Sequence, residues 1–414
     1  MLWIKARSFL SVLKGSKINF VLEGIYFKDL IIFLFLVFFP FSISSKKNIH
    51  TKNKRFYVNG ARSAIYVACQ ILIRRHKKQN VSKTCPIPEV ILPAYSCIVV
   101  RNSIVAAGAK PIFLDITKTN FQYKFCDLAA AVNENTLAIV TQSIFGHSDQ
   151  GIREKLKKKF PNIPIIQDHA HLPPVENNES IDFRVNSFEQ SKPITCWTGG
   201  CLTVADKYSL ETQELLNKFP LESFSDSIKC AFLLMLYYLA YRSKVRFAFL
   251  PILTILIRVF SIANSINTNE VQGSFDPADI KRLSSAKQKF VEIQQLNFQS
   301  RFNLHFRNYH VLAACVASSQ FEVPTEFPLR LPILVDDVDK FSEHCNGYGI
   351  SVGRWFSSPI HPASNWEKLI PLSPSQIRTA THFSQHMVNI PLSYQSSTKI
   401  SVLKKALLEY EAYL

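Results

Sequence analysis

Ile165-Ile166-Gln167-Asp168-His169-Ala170-His171 is the stretch on which the fold turns. The apolar run Ile163–Ile166 reads as a short buried strand, and Asp168 follows directly on it. Working outward, the same signal recurs at Glu89–Leu92 before Pro93, at Lys110–Ile116, at Leu137–Thr141 and at Cys201–Ala205. Helical stretches lie between these runs. Arg62–His76 sets Ile65, Cys69 and Leu72 on one side, and Gly151–Phe160 sets Ile152, Leu156 and Phe160 opposite Lys and Arg. Strands alternating with helices predict an α/β domain with a mainly parallel sheet. Ligands of such sheets sit at the carboxyl ends of the strands, which is where Asp168 stands.

The 414 residues suffice for a large domain and a smaller one. Hydrophobic residues make up 47% and charged residues 19%, which excludes a disordered chain. The net charge of +17 favours anionic partners, or a solvated basic surface. No zinc-finger spacing, RNA-binding signature or basic heptad region accompanies it, so no nucleic-acid partner is expected. The nine cysteines are irregularly spaced; they suggest neither a disulfide framework nor a metal site and fit a reducing cytosol. A cleavable signal peptide is not expected. The run Leu30–Phe41 is broken by Pro40 and is shorter than a spanning helix. Lys46–Arg55 reads as a polar linker. Ala231–Tyr241 and Phe247–Ile257 are apolar runs separated by Arg242, Lys244 and Arg246. They predict either buried helices or a peripheral membrane contact. Phe327–Val335 and Gly349–Trp355 read as strands of the smaller domain, and Val402–Tyr413 as a closing helix.

Three segments carry chemistry. Asn59-Gly60-Ala61-Arg62-Ser63 is a glycine turn opening a helix, whose unpaired N–H groups make an anion site; an ordinary helix start has the same look. Asp168 is costly at a strand mouth unless paired. A protonated pyridine nitrogen is such a partner, and a helix N-cap is the plainer alternative. In Ser187-Phe188-Glu189-Gln190-Ser191-Lys192 the lysine suits a reversible bond to an aldehyde, with Ser187 turned back toward a phosphate. Taken alone, Lys192 reads as one of many surface lysines. Gly199-Gly200 allows close backbone approach. His169 and His171 lack a third ligand at metal spacing.

In this order and spacing the segments resemble the pyridoxal-phosphate (PLP) dependent sugar aminotransferases of the DegT/DnrJ/EryC1/StrS family. The resemblance runs from about Asn59 to the C-terminus. It includes Glu89–Cys97, Ala107–Asp115, Phe145-Gly146, Gln167–His171, Ser187–Lys192 and Val388–Pro391. It implies a fold-type I PLP enzyme: a large domain with a mainly parallel sheet and a smaller C-terminal α+β domain. The division expected is an N-terminal extension over 1–55 and a PLP-binding domain over 56–300, with an apolar, basic-flanked insertion at 225–265. The small domain follows over 301–414. Lys192 falls at the Schiff-base lysine, Asp168 at the pyridine-nitrogen aspartate and His171 beside the cofactor. Ser187 and the turn Gly60, Ala61, Arg62 and Ser63 fall at phosphate contacts. The implied partners are a sugar nucleotide, an amino-acid donor such as glutamate, and a second subunit in a homodimer. The implied setting is cytoplasmic surface-polysaccharide synthesis; a peripheral contact at the inner face of the membrane is expected from the runs Leu30–Phe41, Ala231–Tyr241 and Phe247–Ile257 and the basic cluster between the last two, not from the resemblance.

The chain departs from the family pattern at three places. Cys97 stands where many members carry a ring-stacking aromatic, which leaves Tyr95 as the substitute. Ile280 stands where many carry an asparagine given by the partner subunit, and Ser143 where a histidine is common. Two rival readings follow. One is a non-catalytic PLP-fold protein that binds a partner or a membrane. The other is a PLP-dependent sugar dehydratase, against which Lys192 counts because those relatives carry histidine there.

Overall fold

The computed structural model describes residues 25, 27–39, 53–79, 86–174, 181–241, 249, 268–316, 320–363 and 365–410. The expected apolar run Phe247–Ile257, save Phe249, and the basic residues before it lie outside these. The central sheet has seven strands. They are β1 (Asn53–Val58), β2 (Glu89–Pro93), β4 (Lys110–Leu114), β5 (Thr136–Gln142), β6 (Ile165–Asp168), β7 (Phe183–Ser187) and β8 (Gly200–Ala205), in the order β1-β8-β7-β6-β5-β2-β4. The five from β7 to β4 run parallel, while β8 is antiparallel to both β7 and β1. The short β3 (Ser96–Cys97) leaves the end of β2.

The two-residue period explains the layering. Val90 and Leu92, Ala138 and Val140, and Ile166 face one core with the helix Ala61–Gln79. Ile91, Ile139 and Ile165 face the other, against Ile152 and Leu156 of the helix Gln150–Lys159. Burial on both faces is what makes these strands near-continuous apolar runs. A third cluster packs the helices Phe27–Phe38, Phe224–Tyr241 and Ser285–Leu296 against Phe188, Trp197 and Cys201.

The C-terminal part builds a two-stranded antiparallel sheet, β9 (Arg330–Leu334) with β11 (Met387–Pro391). The helices Phe298–Ala313, Val338–Gly347 and Ser397–Leu408 surround it. Between these strands the chain returns to the large core. Phe356, Ile360, Trp366 and Phe383 pack there, and β10 (Ile360–His361) pairs with β3.

Two expectations differ from the structure. The expected linker ends in a strand, because β1 begins at Asn53; its middle residues are half-exposed, so it lacks an apolar run. Gly349–Trp355 is not a strand: its bridges are isolated ones, such as that of Gly353 with Asn389.

Candidate active site

The carboxyl ends of β5, β6 and β7 converge on Asp168, which lies beside Gln142 on one side and Val185 on the other. Its Oδ1 accepts a hydrogen bond from the Ala170 N–H at 3.1 Å, the cap-like contact the plainer reading of the sequence foresees. Loss of water outweighs that bond and the nearby Lys192 and His169, so the carboxyl is held above its ordinary value. A buried carboxyl in this condition gains from a cationic partner.

Lys192 sits in the loop from β7 to β8. The loop is pinned at its base by Cys196 N–H and Thr195 Oγ1, both donating to the Phe188 carbonyl at 3.1 Å. Gln294 clamps its middle: Oε1 accepts from Thr195 N–H at 3.2 Å and Nε2 donates to the Thr195 carbonyl at 2.9 Å. The Lys192 amine lies 4.6 Å from the centre of the Trp355 ring. Burial lowers its affinity for a proton, against the pull of Glu189, Cys97 and Asp168 and with the push of Arg330. An amine and a carboxyl within each other's field are thus both shifted toward neutrality.

Trp355 joins the rest. Its ring carries the Arg330 guanidinium at 3.7 Å and stacks on His171, centroids 5.1 Å apart and planes at 30°. The Asn389 side chain accepts from its N–H at 2.6 Å. His171 is buried and accepts at Nδ1 from the Phe145 N–H at 3.3 Å. Burial, then Lys192 and Arg330, hold its imidazole well below the ordinary value, so the ring is neutral.

The glycine turn reaches the same place by a backbone contact. Ser187 pairs with Gly200 at the start of β8, and Gly200 presses on the turn. A Cβ at Gly200 would lie 2.5 Å from the Gly60 carbonyl carbon and 2.6 Å from the Ala61 nitrogen. Gly200 thus has the turn Gly60-Ala61 against its Cα and Ser187 paired beside it. Ser63 turns its hydroxyl to Asn59 Oδ1 at 2.8 Å. Arg62 forms ion pairs with Glu189, at 3.0 Å, and with Glu270.

Tyr95 and Cys97 have different surroundings. Tyr95 is buried in the large core against Phe121, Phe356 and Phe383. Its hydroxyl oxygen accepts from the Phe356 N–H at 2.6 Å. Cys97 lies within the field of Lys192 and pairs with His361 across β3 and β10; burial pushes its thiol up to about 11. Ile280 is fully buried in its own chain. Ser143 Oγ lies 3.4 Å from His169 Nε2, which is 3.2 Å from Asp149 Oδ1. The site residue that sequence reasoning misses is Arg330; its signal is a cation within the apolar run Phe327–Val335. Among the described residues no group of His, Cys, Asp and Glu is placed to hold a metal.

The family's sequence pattern, described as the DegT/DnrJ/EryC1/StrS aminotransferase family, matches residues 77–401. The chain belongs to that family. The family so described is one of aminotransferases. The match opens after the Gly60–Ser63 turn, which enters the site through Gly200. A dTDP-4-amino-4,6-dideoxy-D-glucose transaminase of Shigella dysenteriae is 28% identical over 138 residues, 32% of this chain and 37% of that protein. A UDP-2-acetamido-2-deoxy-3-oxo-D-glucuronate aminotransferase of Pseudomonas aeruginosa is 28% identical over 121 residues, 28% of this chain and 33% of the relative. The chain thus matches about a third of the length of these curated relatives. The fold is also that of an Escherichia coli GDP-4-keto-6-deoxy-D-mannose-3-dehydratase solved with bound hydrated PLP. That likeness has TM-score 0.64 and 13% identity, covering 92% of this chain and 97% of the other.

Proposed function

We propose that the chain is a PLP-dependent aminotransferase that moves an amino group, glutamate being the expected donor, onto a keto sugar nucleotide for surface-polysaccharide synthesis. One observation carries this reading: an amine and a carboxyl, each shifted toward neutrality by burial, share the carboxyl edge of a parallel sheet. The residues fit the cofactor. Asp168 offers a buried carboxyl to a protonated pyridine nitrogen, Lys192 an amine to an aldehyde, and Gly60–Ser63 with Ser187 a helix-start anion site to a phosphate. His171, neutral and braced by Trp355, would lie beside the ring. The thiol of Cys97, rather than the ring of Tyr95, would line the face toward Lys192.

When bound, PLP supplies the electron sink for the bond broken at the donor carbon. The protein's own part is to position and to move protons. Lys192 would hold the aldehyde at rest, and once displaced its Nζ would take and return the proton. Its lowered affinity for a proton favours that exchange. Asp168 would hold the ring-nitrogen proton throughout. Trp355 covers Nζ and would keep bulk water from it. Cytoplasmic residence, a homodimer and the partition at about residue 300 complete the proposal.

Likeness to the Escherichia coli dehydratase supports a second reading within the fold. Lys192 favours the aminotransferase, since the dehydratases of this family carry histidine at that position. Incubating the purified protein with glutamate and a panel of keto sugar nucleotides, read by mass spectrometry, distinguishes them. An amino sugar supports the transaminase, and a deoxygenated sugar without nitrogen overturns it.

A further inference from the structure

The helices Phe27–Phe38 and Phe224–Tyr241 pack side by side. Phe38 meets Phe224 at one end, ring centroids 6.0 Å apart, and Phe27 meets Tyr238 at the other, 5.9 Å apart, so the helices are antiparallel. Their inner faces are accounted for. Leu30, Phe33, Leu36 and Val37 are buried with Ala231, Leu234 and Ala240, Phe33 stacks on Phe290 at 4.4 Å, and Asp29 pairs with Arg301 at 3.0 Å.

Their outer faces are apolar as well. Phe27, Ile31, Phe35 and Phe38 recur at helical spacing on the first helix and are each 48–58% exposed. Phe224, Ile228 and Phe232 recur every fourth residue on the second and are 37–58% exposed. Since Phe38 and Phe224 touch, the two rows form one patch, of a kind that monomeric proteins rarely leave uncovered. Lys28 and Lys229 are exposed beside it.

The charge of the chain selects the occupant of the patch. It carries 48 Lys and Arg against 31 Asp and Glu, a net charge of +17. A second copy docked about a two-fold axis would bring two such surpluses of cations together. An anionic lipid surface meets the apolar rows and the cations at once. The helix Phe27–Phe38 has 12 residues. It is thus about 18 Å long, against the ~30 Å of a bilayer core, so it can lie in the interface and cannot span it. Among the described residues no helix is long and apolar enough to cross a membrane.

We infer that this two-helix face seats the protein on an anionic bilayer, with Phe27, Ile31, Phe35, Phe38, Phe224 and Phe232 entering the head-group layer. The inference is independent of which sugar is aminated. The test is co-sedimentation of the full-length, PLP-loaded protein with vesicles of phosphatidylcholine alone or mixed equally with phosphatidylglycerol. Wild type should bind the anionic vesicles at least ~10-fold more strongly and be released by salt. The triple variant Ile31→Glu/Phe35→Glu/Phe232→Glu should lose binding by ~10-fold or more, since each change takes an apolar side chain out of the bilayer. It should keep its circular dichroism and bound-cofactor absorbance. If the triple variant fails to fold, Phe35→Glu alone is read, with the same expected direction. Equal or absent binding of wild type to the two vesicle types overturns the inference, as does unaltered binding by a folded variant. A variant that loses the wild-type oligomeric state in light scattering, where wild type binds no vesicles, assigns the face to a second copy instead.

Discussion

Gly200→Ala probes whether the glycine turn belongs to the cofactor site. The added Cβ would lie 2.5 Å from the Gly60 carbonyl carbon, 2.6 Å from the Ala61 nitrogen and 2.7 Å from the Gly60 oxygen. All three are backbone atoms, so no side chain can rotate away. Restoring ordinary contact at 3.4 Å asks the turn to retreat from β8 by about 0.9 Å. Overpacking of this kind costs about 1–3 kcal/mol. If the turn holds the phosphate, much of that cost appears in cofactor binding, as a roughly 5- to 100-fold rise in Kd. The assay is titration of apoprotein with PLP by absorbance, beside thermal unfolding. Gly151→Ala is the control: a Cβ there meets nothing within 4 Å, and the residue lies in the helix Gln150–Lys159. It should leave Kd unchanged and raise stability by about 0.5–1 kcal/mol. A Gly200→Ala protein with unchanged PLP affinity refutes the assignment of the turn to the phosphate, whatever its melting temperature.

Three further outcomes follow from the geometry. Asp168→Asn should keep the lysine-bound cofactor band yet slow turnover about 10²- to 10⁴-fold, the size typical of losing a proton-controlling group; wild-type turnover would deny Asp168 its role. Burial pushes the His361 imidazole down to about 3 from 6.5, so the fold favours the neutral ring. Its contribution to stability is present above pH 6.5 and is lost as pH falls toward 3. His361→Gln should therefore flatten the decline of melting temperature across that window, and an unchanged slope contradicts it. Lys287 is fully buried and donates to Glu222 and Thr198, each at 2.9 Å. Lys287→Met strands the Glu222 carboxylate and should cost about 3–5 kcal/mol in denaturant unfolding; a loss under 1 kcal/mol would show that water reaches the pair.

The central sheet was legible because β2, β5, β6 and β8 are covered on both faces and so announce themselves as apolar runs, and the half-buried edge strand β4 keeps Ile112-Phe113-Leu114. β7 was not, although all five of its residues are buried. Its sequence Phe183-Arg-Val-Asn-Ser looks half-solvated. Arg184 Nε donates to Gln167 Oε1 at 2.9 Å, and the Asn186 amide nitrogen donates to the His169 and Leu172 carbonyls, each at 3.1 Å. Polar partners brought in by neighbouring strands hide a core strand from any local reading. The chemistry divides in the same way. Asp168 and Lys192 stand out because each is tied to a strand end or to a motif at fixed spacing. Arg330 and Trp355 join them only through tertiary packing, the one from β9 and the other from the segment that returns to the large core. The spacing of Tyr95 and Cys97 could not say which side chain the site keeps; the turn after β2 sends Tyr95 into the core and leaves Cys97 within the field of Lys192.

The central claim is that Lys192 carries the cofactor. Borohydride reduction of the PLP-loaded protein, followed by peptide mapping in a mass spectrometer, fixes the cofactor to whichever lysine holds it. The account predicts the phosphopyridoxyl mass on the peptide bearing Lys192 and its absence from Lys192→Ala protein of unchanged fold. The same mass on another lysine, or its persistence in Lys192→Ala, would contradict it.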